Sequence, residues 1–270
     1  NNKLYLFGYC YPAIWCFDFE SRTFDIIDKW AKEIHYTNNE DGCFHVQFKK
    51  VEEKVYLPFM NVNAVLEFSL KDKMTKVHYV GDKKQRYISI EWDGENFWLI
   101  PRDASTGSIV RWNPKTDEVK QFDNYPAEFE HHKYAFYRTA MIDKEILAFA
   151  HCGNKNISIN IETGNMDIFE DLYDTTGVNG SKYPFIYKDG KVIYCLLNTE
   201  VIRYDYQHNN VEHFPFSLSD EIIRRQEHKK LKERFIKYRH NGFVYEKREL
   251  SLCDMIRLLD GGMCKETVTK

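Results

Sequence analysis

The side chains able to do chemistry are spread thinly along the chain. His131, His132, His151 and Cys152 are residue types that ligate zinc, but adjacent histidines point apart on an extended backbone and no tetrahedral ligand spacing is present. They are read as surface or structural residues, and no metal or other cofactor is expected. Hydrolysis of a glycosidic bond needs two carboxylates roughly 5–10 Å apart. Asp103 and Glu200 are the acids on offer, whereas Asn61, Asn63, Asn154 and Asn198 stand where an acid would be wanted. Amide side chains, Arg102 and tyrosines such as Tyr11 instead suit a polar ligand held by hydrogen bonds and stacking. The expected ligand-binding set is therefore Tyr11, Asn61, Asn63, Arg102, Asp103, His132, His151, Asn154 and Asn198, with no catalytic residue assigned. Neither a G-x-S-x-G elbow, a P-loop nor a G-x-G-x-x-G turn occurs.

Such residues need a scaffold, and the sequence builds one by repetition. The stretch IVRWNPKTDEVKQF, with a strand, a polar turn and a returning strand around Asn113, has counterparts around Asp18, Ser69, Asn160 and Asp205, at spacings of 51, 44, 47 and 45 residues. One residue before the polar position stand Phe17, Phe68, Trp112, Ile159 and Tyr204, and three before it Trp15, Leu66, Val110, Ile157 and Ile202. That is the period-2 alternation of a strand with a strongly apolar face. The polar column itself is Asp, Ser, Asn, Asn, Asp, whose short side chains bond nearby backbone and start turns.

Ten to thirteen residues upstream of each hairpin lies another apolar run, such as Lys3–Phe7 and Glu145–Phe149. Before four of these comes one more, at Phe44–Phe48, Tyr87–Trp92, Ala135–Met141 and Tyr183–Tyr187, with Asp93-Gly94 and Asp189-Gly190 as hairpin links. The pattern predicts four short antiparallel strands per unit of about 45 residues, with the first unit lacking its leading strand.

In this the chain resembles the β-propeller superfamily over residues 3–216. It is most similar to bacterial propellers whose blades end in an h-D-x-x-T-G-x-h hairpin, matched by Asn160–Met166 and more loosely by Asn113–Val119. The blade-end hairpins carry neither the Trp-Asp pair of WD40 repeats nor the Gly-Gly of kelch. The resemblance implies an all-β fold of five visible four-stranded blades, closed by a strand at Gly242–Lys247 or belonging to a parent of six or more blades. It also implies ligand sites on the loops at one end of the central channel, and these loops carry the residues named above.

Composition bounds the rest. A chain of 270 residues that is 43% hydrophobic and 16% aromatic can bury a large β-type core, and most aromatics are expected between blades. A net charge of −3 excludes the electrostatic footprint of a dedicated nucleic-acid binder. No apolar run approaches the ~20 residues of a membrane span. Seven scattered cysteines without C-x-x-C spacing read as reduced thiols of a cytoplasmic protein; removal of a signal peptide would make it secreted or periplasmic.

Residues 217–270 break the pattern. Ser217–Glu221 offers an N-cap with acids in the first turn, and the segment to Tyr238 has no Gly or Pro, so a helix is expected there. Its eight Lys and Arg between Arg224 and Arg239, against Glu227 and Glu233, are read as a solvated face. A second short helix follows from Ser251 to Gly261. The functional expectation is a non-catalytic binding module or scaffold whose partner is a protein or a polar small molecule such as a carbohydrate. The alternative is a carbohydrate-active enzyme, a glycoside hydrolase or lyase, with its site in the channel.

Overall fold

The structure, a computed structural model, describes residues 2–9, 11–34, 43–45, 47–176, 178, 181–197, 199–217, 219, 221–222 and 224–225. It divides into two compact units, Asn1–Phe216 and Ser217–Lys270. The first unit is built from antiparallel sheets that follow one another in chain order.

The first sheet has three strands, β1 (Lys3–Phe7), β2 (Ile14–Asp18) and β3 (Thr23–Ile27), and is followed by the short helix α1 (Lys29–Glu33). Four four-stranded sheets come next. The second holds β4 (Lys49–Val51), β5 (Lys54–Pro58), β6 (Ala64–Ser69) and β7 (Thr75–Tyr79); the third β8 (Tyr87–Trp92), β9 (Phe97–Pro101), β10 (Ile109–Trp112) and β11 (Val119–Phe122). The fourth holds β12 (Phe136–Ile142), β13 (Glu145–Ala150), β14 (Asn156–Asn160) and β15 (Met166–Phe169); the fifth β16 (Phe185–Asp189), β17 (Val192–Leu196), β18 (Glu200–Asp205) and β19 (Asn210–Pro215). Every pairing joins strands adjacent in sequence, so each sheet is a simple meander.

The repeated polar column explains why the last hairpin of every sheet has the same shape. The side-chain oxygens of Asp18, Asn113 and Asn160 each accept two backbone N–H groups, from residues two and three positions on, at 2.9–3.2 Å. Ser69 and Asp205 accept one, from Asp72 and His208. The residue four positions after each column member then lies in the left-handed region: Arg22, Lys73, Asp117, Gly164 and Asn209. Only Gly164 occupies that conformation without a Cβ penalty. Added there, a Cβ would sit 1.9 Å from the Phe122 ring of the preceding sheet.

The leading strand of the second sheet differs from expectation. It spans Lys49–Val51 rather than Phe44–Phe48, and Phe44 makes an isolated bridge to Phe59. The tight turn between Val51 and Lys54, with Glu52 at φ 53°, sets the register Lys49↔Tyr56 and Val51↔Lys54, so pairing grows outward from that turn.

Packing is one apolar cluster per pair of neighbouring sheets. In the third sheet, Phe97, Leu99, Val110 and Trp112 face the second sheet with Tyr56 and Val65, while Trp98, Ile100 and Ile109 face the fourth with Ile146, Ala148 and Ile157. Corresponding clusters join the first sheet to the second around Phe59, Leu66 and Phe68, and the fourth to the fifth around Phe149, Tyr183 and Ile202. Interior sheets therefore bury both faces, and each fully buried large side chain contributes about 1.5–3 kcal/mol. The first sheet is the exception to the expected column: Ile14 and Cys16 are buried, while Trp15 and Phe17 are half-buried and pack on Phe24 and Phe19 beside them. Its Tyr5 and Phe7 meet Phe68 of the second sheet, so one face of this sheet is covered by a neighbour and the other mainly by its own side chains.

In the second unit Glu221, Ile222, Arg224 and Arg225 have helical backbone, Ser219 Oγ accepts the Ile222 N–H, and Arg225 pairs with Glu221 at 2.6 Å. The expected strand at 242–247 and the expected second helix lie outside the described residues. The four described cysteines, Cys16, Cys43, Cys152 and Cys195, are free thiols.

Candidate functional site

The leading strands of the sheets line a common axis, and their polar residues meet across it. Glu91 of β8 accepts hydrogen bonds from Gln47 Nε2 (2.9 Å) and Thr139 Oγ1 (2.7 Å), and pairs with Lys49 Nζ at 2.5 Å. Gln47 also donates to the Thr139 carbonyl (2.9 Å) and accepts its N–H (3.0 Å), and Ser89 Oγ lies 2.5 Å from Thr139 Oγ1. The Glu91 side chain is 2% exposed. A carboxylate in such a place is tolerable because both its oxygens are engaged, and the result is a polar clasp joining three sheets.

One end of this axis opens into a cavity of about 190 Å³. Its wall combines Tyr9 from the loop after β1, His45 from the segment before β4, and Met60 from the loop after β5. Ile88 of β8, Tyr134 and Tyr137 around the start of β12, and His151 from the loop after β13 complete it. The rings form a row. His45 meets Tyr137 edge-on at 4.4 Å between centroids, Tyr137 stacks on His151 at 5.0 Å and 29°, and His151 faces Tyr134 at 6.5 Å and 90°. His151 is fixed by its own backbone: its N–H and that of Gly153 both donate to the Ala135 carbonyl. A Cβ at 153 would come within 2.7 Å of that oxygen, so only glycine lets the loop lie this close.

The electrostatics of the row are set by burial. His45 is 4% exposed, and its pKa is pushed down to about 3, first by desolvation and then by the charges of Arg138 and His151; the nearby Ile88 carbonyl opposes the fall. Desolvation also lowers the His151 pKa. Both imidazoles are thus neutral at neutral pH. No hydrogen bond of good geometry reaches His45 Nδ1, His45 Nε2 or His151 Nδ1, all three of them buried atoms; the His45 ring has the Ile88 backbone as a weak polar partner. The Oδ1 of Asn61, next to Met60, is in the same condition. An unmet buried polar atom costs about 1–3 kcal/mol. Three such atoms belong to two residues that line one cavity.

The expected site residues distribute as follows. His151 is in the cavity wall, and Arg102 stands behind it. The Arg102 guanidinium lies 4.7 Å above the Tyr134 ring and donates to the Met60 carbonyl (2.7 Å) and to the Tyr134 hydroxyl. Asp103 begins the loop after β9, where its Oδ1 accepts the Ser105 N–H and hydroxyl. Asn63 donates to the Gly81 carbonyl, Asn154 ties the Glu128 carbonyl to the Glu130 N–H, and exposed His132 lies 3.0 Å from Glu130. Tyr11 is exposed, edge-on to Trp15. Asn198 lies outside the described residues.

His45, Tyr134 and Tyr137 are absent from the sequence-derived set. Alternation gives only part of the signal: Ser89 and Glu91 stand two apart in β8 and share a face, whereas His45 and Gln47 precede β4, Tyr134 precedes β12 and Tyr137 sits at the register shift of β12. Among the described residues no group of three His, Cys, Asp or Glu side chains is placed to hold a metal ion.

No family model and no curated protein matches the sequence. Solved structures do. A streptogramin B lyase superposes with a TM-score of 0.54 at 12% identity, over 77% of this chain and 63% of that one. A catalytically inactive virginiamycin B lyase from Staphylococcus aureus, with quinupristin, gives 0.54 at 11%, over 77% and 64%. PorZ, a surface component of the type-IX secretion system of Porphyromonas gingivalis, gives 0.53 at 7%, over 80% and 26%. The chain is a β-propeller. At these identities the likeness is one of fold alone, and this propeller spans less than two thirds of the length of each matched chain. Its sheets are the blades, and the cavity lies at the channel end that carries the loops between the second and third strands of each blade.

Proposed function

We propose that this propeller is a non-catalytic binding module that holds a polar ligand, such as a carbohydrate, at the loop end of its channel. The observation that carries the reading is the ring-lined cavity with imidazole nitrogens on His45 and His151 that make no good hydrogen bond. Neutral rings offer stacking faces, and His45 Nδ1 and Nε2 and His151 Nδ1, which lack a good partner, offer donor or acceptor capacity to hydroxyl groups. The engagement of Glu91 by Gln47, Thr139 and Lys49 further supports binding over hydrolysis, because that channel carboxylate is committed. The test is a glycan array with the full chain, followed by calorimetry. His151→Ala and Tyr137→Ala are expected to weaken binding by at least about ten-fold, roughly 1.4 kcal/mol, with the melting temperature nearly unchanged; a hit indifferent to both variants would refute the site.

A second reading, elimination chemistry, is favoured by one feature: a neutral imidazole on His151 with a bare Nδ1 has the state required of a general base. Two of the matched propellers are lyases. Incubation with quinupristin and with uronate-containing polysaccharides, followed by mass spectrometry, separates the readings; turnover abolished by His151→Ala establishes the second.

A further inference from the structure

The wall formed by Tyr134 and Arg102 has a second cavity behind it. This cleft, about 360 Å³, is lined by Lys84 and Arg86 from the link into β8, by Arg102, Asp103 and Thr106 after β9, and by Lys133 before β12. Four cations against one acid is far from the average of a chain whose net charge is −3. Among the described residues, Lys84, Arg86 and Lys133 form no ion pair with a carboxylate, and the Asp103 Oδ1 is occupied by Ser105.

Arg86 is the centre of the arrangement. Its Nη1 donates to the carbonyls of Lys83 (2.8 Å) and Gln85 (2.5 Å), which fixes the guanidinium plane without neutralising its charge. Burial, and then the charge of Arg102, lower its pKa. The backbone keeps them together: the Arg102 N–H donates to the Arg86 carbonyl at 2.7 Å, and Asp103 bridges Lys133. A positioned guanidinium flanked by ammonium groups is the donor set that carboxylates and phosphates select.

We propose that this cleft is an anion-binding site, taking the carboxylate or the phosphate or sulfate ester of a small ligand. An anion there gains charge-assisted hydrogen bonds from Arg86, Lys84 and Lys133 in a concave, partly desolvated setting. The site stands apart from the ring-lined cavity, so the two proposals fail independently.

The experiment is calorimetric titration of the full chain at low salt with inorganic phosphate, with glucuronate and with glucose. One or both anions are expected to bind, added salt to weaken the complex, and any heat from glucose to be insensitive both to salt and to substitutions in the cleft. Binding of phosphate alone assigns a phosphoryl ligand, and binding of glucuronate alone a carboxylate. The double substitution Arg86→Gln with Lys133→Gln should weaken binding by at least about ten-fold, while Lys50→Gln leaves it unchanged. Should the Arg86 variant lose its native circular dichroism, the exposed pair Lys84→Gln with Lys133→Gln gives the same reading. Absence of heat with both anions, or anion affinity unaffected in a folded cleft variant, overturns the proposal.

Discussion

Two sets of polar groups occupy the same axis under opposite conditions. In the clasp of Gln47, Lys49, Ser89, Glu91 and Thr139, the Glu91 oxygens and the Gln47 amide all have partners from other strands. In the cavity at the loop end, buried His45 and half-buried His151 keep three ring nitrogens without a good hydrogen bond. The clasp fastens three neighbouring blades to one another through buried and half-buried side chains. Buried polarity stabilises where its partners are present and costs stability where they are not.

The largest effect expected of this contrast is on the clasp. Glu91→Ala leaves Lys49, Gln47 and Thr139 facing an unfilled space. Removing one member of a buried charge pair costs about 3–5 kcal/mol, and the partial exposure of Lys49, 31%, places this case at the lower end, about 3 kcal/mol. Urea unfolding of the variant reads this directly, and a loss under about 1 kcal/mol would break the comparison. Gly164→Ala, an interblade control far from both, combines a positive φ with a clash on Phe122 and should cost about 1–3 kcal/mol. Suppression by Phe122→Ala in a double-mutant cycle would separate the clash from the backbone strain.

The cavity predicts effects of opposite sign. His45→Leu removes two nitrogens without a good hydrogen bond and should leave stability unchanged or raise it by about 1 kcal/mol, where an apolar substitution in the clasp destabilises. Acidification distinguishes the regions again. The folded-state pKa of His45, about 3, lies below the ordinary 6.5, so below pH 6.5 the unfolded chain takes up a proton that the folded chain refuses. The contribution from a neutral His45 is therefore present above pH 6.5 and lost as pH falls from there towards 3, by about 2 kcal/mol on reaching pH 5. His151 acts in the same direction. Melting curves between pH 7 and 5 should show this slope in the native protein and a smaller one in His45→Leu.

Much of the fold is legible in the chain, and the hairpins show why. Asp18, Ser69, Asn113, Asn160 and Asp205 act on backbone two to four residues away, so their effect is written locally. The site is legible only in fragments. His151 is found because it sits in a loop, but His45 and Tyr137 lie within stretches that read as apolar runs. Arg102, expected at a ligand, is largely committed to the Met60 carbonyl and to Tyr134, a contact across 32 to 42 residues that spacing cannot reveal.

The sequence by itself determined the repeat of about 45 residues, the turn at the end of every blade and the two-sided alternation of the interior strands, because each follows from interactions within a few residues or within one hairpin. Which of those alternating faces meets the axis, which polar groups find partners there and which are left bare was decided only by tertiary structure. An interior blade is covered on both sides, so its pattern names two apolar faces without saying what lies beyond either. The convergence of His45, Tyr137 and His151, from three segments more than a hundred residues apart at their extremes, exists only once the blades stand around their axis.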